Sequence, residues 1–281
     1  MVKSAREWSS RYVHSPVPKA KSPYAEENFT RSKSWLYHLA LGLFLGGQVL
    51  MRVMQRGVDR RHVMEYMVAA GPNSLSPVLL TNLFAGMIFT IQTARELIRY
   101  GATHALGGAF AVAFCRELAP LLTAAILAGQ VGSAFAAEIG CMKVTDQIDA
   151  LKMLRTDPID YLVVPRVLAC CIMLPVLTVL SLVIGIAGGA FVAHQFYAIA
   201  PAVFLESVRS LLELQDLIMV LVKSTLFGAM IALFACSWGL TTTCSKSVGR
   251  SATAAVVTTW VSLFVVDFFL SIVLFEGVQI H

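Results

Sequence analysis

Apolar residues in this sequence gather into long blocks, and polar residues fall in the stretches between them. A helix needs roughly 20 apolar residues to cross the hydrocarbon of a bilayer. Five blocks reach that length, at about residues 76–97, 105–133, 161–195, 216–240 and 252–276. None alternates at every second residue, as a membrane-barrel strand must. Before them, residues 35–57 (WLYHLALGLFLGGQVLMRVMQRG) are apolar first and basic at the end, with Arg52 and Arg56 capping the last turn. That apolar core is at the short limit for a span. It reads as an interfacial or re-entrant helix, a full crossing being the alternative. The expected fold class is all-α integral membrane: an N-terminal interfacial helix plus five transmembrane helices.

The connections carry their own signals. Residues 59–75 are polar, with Pro72 and Asn73 marking a turn. Pro175, inside the third span, is expected to kink it. Residues 1–34 are polar and basic and contain Pro16, Pro18 and Pro23. They read as a cytosolic tail or as the stub of an organellar targeting peptide. The six cysteines form no CxxC, and most lie in apolar blocks, where Cys packs as a small hydrophobe.

Composition agrees with the blocks: 57% of residues are hydrophobic and 14% charged, against about 25% charged in soluble domains. The placement of charge says more than its sum. Eleven of the 22 Lys and Arg precede residue 62, and four more lie between 134 and 166 and two in the 241–251 loop. The opposite side has Arg95, Arg99 and Arg209. The positive-inside rule then sets the N-terminus and the 134–160 loop in the cytosol or plastid stroma. The basic N-terminal region suits an anionic membrane surface. Nothing accompanies it that would suit nucleic acid.

Four charged residues fall inside spans: Arg116, Glu117, Lys223 and Asp267. A charge in hydrocarbon costs several kcal/mol unless it faces a partner, a protein interior or water. At 1.5 Å per residue, Glu117, Lys223 and Asp267 lie about 18, 10 and 14 Å below the outer end of their spans. They share one layer. Lys223 and Asp267 are expected to pair, with Arg116 and Glu117 forming or bordering a polar ring. Purely structural ion pairs, or a Lys223 snorkelling to the interface, are the alternatives. Arg116 and Glu117 are adjacent, so they point about 100° apart and face different surroundings.

Residues 129–151 (GQVGSAFAAEIGCMKVTDQIDAL) begin with small residues that let helices approach closely. They continue through Glu138, Lys143, Thr145, Asp146, Gln147 and Asp149. Thr145 and Asp146 resemble helix-start residues. Val144, Ile148, Leu151 and Leu154 form a helical stripe. A short amphipathic helix on the cytosolic face follows, either docked on a soluble partner or lying on the membrane.

The sequence has no GxxxxGK[ST], HExxH, GxSxG or GxGxxG, and its six histidines are scattered. No nucleotide, metal or nucleophile site is expected in this chain. A secondary transporter driven by an ion gradient would show inverted repeats, which are not visible, and the span count is odd. An intramembrane enzyme would need an acid–base set, for which Glu117 with Thr123 is too little.

Residues 116–169 (RELAPLLTAAILAGQVGSAFAAEIGCMKVTDQIDALKMLRTDPIDYLVVPRVLA) resemble the signature region of the MlaE family of permeases. The stretches at Lys223 to Phe227, Ser247 to Arg250 and Asp267–Phe268 are similar to its C-terminal half. The likeness spans residues 35–277 and its wording is nearest the cyanobacterial members and the plastid trigalactosyldiacylglycerol permeases. It implies an interfacial helix and five spans, a homodimer, two ABC ATPase subunits that bind ATP and Mg, and an MCE-domain substrate-binding protein. It implies transport of phospholipid-type or phosphatidic-acid-like lipids, in the plastid inner envelope or in a bacterial inner membrane. No cofactor is bound by the chain itself. Glu138, Lys143, Thr145, Asp146, Gln147 and Asp149 would belong to the helix that meets the ATPase. Arg116, Glu117, Lys223 and Asp267 would lie near the lipid cavity. The sequence departs from many members at Gln130, where Arg is common, and at Asp146, where Glu is common.

Overall fold

The computed structural model describes residues 37, 40–53 and 60–273, and among them every long element is a helix. The polar tail at residues 1–34, Arg56 and the last residues expected in the fifth span lie outside the described residues. A short apolar helix, α1, covers Ala40–Val53. Then come α2 (Arg60–Ala70) and α3 (Pro72–Arg99). The helical run α4 covers Thr103–Val144. It is followed by α5 (Gln147–Met153) and by α6 (Ile159–Tyr197). The rest is α7 (Pro201–Leu211), α8 (Leu214–Leu240) and α9 (Val248–Ser271). Among the described residues, five helices are long and apolar enough to cross a membrane, as the blocks predicted.

Two boundaries differ from the sequence reading. Residues 60–70, read as a polar connection, form α2, and the break falls at Gly71. Pro72 and Asn73 do occupy a turn, closed by the Ser74 N–H donating to the Gly71 carbonyl at 3.0 Å. Pro72 also opens α3, where its missing N–H has no helical partner to lose. The second span runs to Val144 instead of ending at 133. Pro175 lies inside the helix of the third span, where the sequence put it.

α6 is the central element, touching α2, α3, α4, α7 and α8. Its crossing with α3 depends on glycine: a Cβ on Gly86 would strike the carbonyl of Gly185, and one on Gly188 would lie 2.9 Å from the carbonyl of Leu83. Small residues permit such backbone contact in lipid, where no hydrophobic force drives helices together. Gly86→Val should therefore destabilise the bundle by about 1–3 kcal/mol. A lowered unfolding midpoint of purified protein would register it, and an unchanged midpoint would refute it.

Two apolar cores lie along the bundle. One, at the α7 end, is built from Phe110, Phe114, Phe204, Leu106 and their neighbours, with Phe110 stacked on Phe114 at 5.4 Å. The other fills the end nearer α5 and includes Leu127, Phe135, Ile139, Leu174 and Phe227. α4 serves both. It contains two π-helical turns, Phe114–Leu118 and Ala128–Gly132. Outward faces carry large apolar side chains such as Leu80, Phe84, Val261, Phe264 and Phe268, as a hydrocarbon solvent requires.

Candidate functional site

The charged residues of the spans converge at one level of the bundle, towards the α7 end. Arg116 and Glu117 sit in the first π-helical turn of α4, a feature that frequently marks functional positions. Lys223 lies on α8 and Asp267 on α9. The Lys223 ammonium donates to Glu117 Oε2 at 2.9 Å, to the Arg116 carbonyl at 3.0 Å and to Ser271 Oγ at 3.0 Å. Asp267 Oδ1 stands 2.6 Å from it. Ser271 Oγ donates to Glu117 Oε1 at 2.7 Å, closing the ring. Lys223 is 1% exposed, so it does not snorkel.

Arg116 turns to a partner that the sequence reading missed. Its Nε donates to Asp216 Oδ1 at 2.8 Å, and Nη2 stands 2.7 Å from the same oxygen. Asp216 and Lys223 are seven residues apart on α8, hence on one face. Asp216 also accepts from the Glu213 backbone N–H in a reciprocal capping box at the start of α8. One carboxylate thus fixes the helix entry and holds the guanidinium. An Arg inside a span was the available signal for such a partner. Asp216, at the first residue of the expected span, looked like an ordinary helix-end carboxylate.

The burial of the five charges divides them. The side chains of Lys223, Asp216 and Asp267 are 1%, 5% and 9% exposed, whereas those of Arg116 and Glu117 are 35% and 40% exposed. Three buried charges therefore hold two half-open ones, a guanidinium edge beside a carboxylate edge. A rim of that kind can meet a phosphate through the cation and hydroxyl or ammonium donors through the anion. Deeper in the bundle, Asn82 Nδ2 donates to Thr123 Oγ1 at 3.3 Å, and Thr123 Oγ1 donates to Ser181 Oγ at 3.1 Å. These link α3, α4 and α6 without charge.

The residues expected in one amphipathic helix from 138 to 151 are split between two elements. Glu138 and Lys143 belong to α4, and Thr145 ends it with its hydroxyl donating to the Cys141 carbonyl at 2.9 Å. Asp146 precedes α5 with φ of 57°, in the left-handed region, and makes no side-chain cap. Gln147 and Asp149 lie in α5 itself. Asp149 stands 2.9 Å from Lys152 and 3.3 Å from Lys143. Lys152 first, then Lys143, hold its carboxyl below the ordinary range, so it is ionised at neutral pH. Ile148 is buried, whereas Met153 and Leu154 project outward at 83% and 75% exposure.

Arg52, in the last described turn of α1, pairs with Asp157 at 2.6 Å and Asp160 at 2.7 Å, tying α1 to the start of α6.

The sequence model of the family described as permease MlaE matches residues 63–273. A probable ABC transporter permease protein of Synechocystis sp. is 54% identical over 86% of this chain and 93% of its own. The chloroplast protein TRIGALACTOSYLDIACYLGLYCEROL 1 of Arabidopsis thaliana is 40% identical over 96% of this chain and 77% of its own. A probable ABC transporter permease protein of the red alga Pyropia yezoensis is 42% identical over 87% and 93%.

Proposed function

The chain belongs to the MlaE permease family, and we propose that it is the membrane-crossing subunit of an ABC-type transporter for phospholipid- or phosphatidic-acid-like lipids. The observation that carries the reading is the half-open Arg116–Glu117 edge held by three buried charges. Charges are kept in hydrocarbon where they serve a polar cargo or path. A lipid headgroup is such a cargo, and its acyl chains would lie along the apolar faces around the rim.

The end carrying α5 faces the cytosol or stroma, as the basic connections favour. There α5 meets a separate ATPase subunit, with Met153 and Leu154 as its apolar contacts and Asp149 and Lys152 around them. Glu138 and Lys143 act behind this contact, on α4. ATP and Mg2+ belong to that partner. A second copy of the chain completes the cavity, and an MCE-domain protein passes the lipid on. The similarity to cyanobacterial and chloroplast proteins favours the plastid inner envelope or a bacterial inner membrane as its location.

Reconstitution with the ATPase subunit in vesicles containing fluorescent phosphatidic acid tests this. ATP should drive lipid movement, and Arg116→Ala should reduce it. Movement that persists without the ATPase and follows an ion gradient would replace this reading with a secondary transporter.

A further inference from the structure

Arg166 is the largest side chain among the described residues that is fully buried. The sequence placed it with the basic residues of the cytosolic side. At that same α5 end its guanidinium is buried inside the bundle, 4.4 Å from the centre of the Tyr66 ring and 5.4 Å from that of Phe135. Nη1 donates to the Leu162 carbonyl at 2.8 Å, and Nη2 stands 2.8 Å from Glu138 Oε2. Neither Nε nor Nη2 has a hydrogen-bond acceptor among the described residues, so the approach to Glu138 is an ion pair alone. The aromatic faces lie against the guanidinium instead, a desolvated position that a planar, weakly hydrated guanidinium tolerates better than a strongly hydrated ammonium.

These contacts join three elements at one point. Tyr66 belongs to α2, Phe135 and Glu138 to α4, and Arg166 and Leu162 to α6. α4 and α6 are the helices that flank α5. The two connections to α5 each contain one residue in the left-handed region, Asp146 and Arg155, both with φ of 57°. A short helix joined through a sharp bend at each end passes on a displacement only if its supports move as one body.

Resting on the transporter reading above, we propose that Arg166 is the positioning residue that makes them one body. It clamps α2, α4 and α6, so that displacement of α5 by a partner moves the membrane helices together. Glu138 supplies the neutralising charge from its half-exposed position, and Tyr66 supplies a flat wall. Without the clamp, α5 would shift against one support while the other spans stayed still.

The test uses the reconstituted complex and measures lipid moved per ATP hydrolysed. Arg166→Lys keeps the charge for Glu138 but loses the planar stack. It should leave ATP hydrolysis unchanged and lower lipid moved per ATP about tenfold. Tyr66→Leu should reproduce that loss, and Tyr66→Phe, which keeps the ring, should couple as the parent does. Normal coupling in Arg166→Lys overturns the proposal. So does a loss of ATP hydrolysis and lipid movement in step with a lowered unfolding midpoint, which marks a structural role alone. If Arg166→Lys does not fold, the two Tyr66 variants decide in the same way. A parent complex that moves no lipid with ATP would remove the transporter reading itself, a separate result.

Discussion

Replacing Lys223 by Met will destabilise the protein by about 3–5 kcal/mol, the usual cost of removing one partner from a buried ion pair. Lys223 is the hub of the cluster: Glu117, Asp267, Ser271 and the Arg116 carbonyl all converge on its ammonium. Met fills the space of the stem but leaves two carboxylates facing each other without a cation. Asp267→Asn should cost less, about 1–3 kcal/mol, because Lys223 keeps Glu117. The exchange Lys223→Asp with Asp267→Lys should recover only part of the loss, because it sets a second carboxylate beside Glu117. Unfolding midpoints of the purified variants give the order. Equal midpoints for Lys223→Met and the parent would mean that the cluster holds no stabilising energy.

The second large effect is at Asp216. Asp216→Ala removes a helix cap and the anion that Arg116 needs, with an expected total of about 2–4 kcal/mol. Arg116 is one-third exposed, so its stranded charge is partly solvated and the loss stays below that at Lys223. Asp216→Asn retains an acceptor for the Glu213 N–H and should recover about 1 kcal/mol of the cap share. The difference between the two variants in thermal unfolding separates the two roles. If they unfold at one temperature, the capping box contributes nothing.

The spans were legible because hydrocarbon is an unforgiving solvent: a run of apolar residues near 20 long leaves few other placements. Ile159–Tyr197 and Leu214–Leu240 fall within a few residues of the expected blocks at 161–195 and 216–240. Ends were less legible. α4 continues past residue 133 because small side chains such as Ala134, Ala136 and Ala137 favour helix as readily in a polar setting as in lipid. α2 was missed because its polar outer face masks the side on which Tyr66 packs. Equal depth brought Lys223 and Asp267 together on paper. The meeting of Arg166 with Glu138, or of Arg52 with Asp157 and Asp160, depends on how loops return the chain. No local pattern in the sequence carries that information.

The wide turn at Phe114–Leu118 has a consequence for how this site could have arisen and could change. Each such turn accommodates one residue more than regular helix, so it acts as an inserted residue absorbed in place and rotates everything beyond it by about 100°. Phe110 before the turn and Ala119 just after it both pack in the core at the α7 end, and Leu127, about two turns further on, packs in the other. The insertion point is where Arg116 and Glu117 sit. A gain or loss of a single codon there swivels the charged pair relative to both cores while leaving the length and hydrophobicity of the span almost intact. The orientation of the charged pair is thus open to adjustment by indel as well as by substitution.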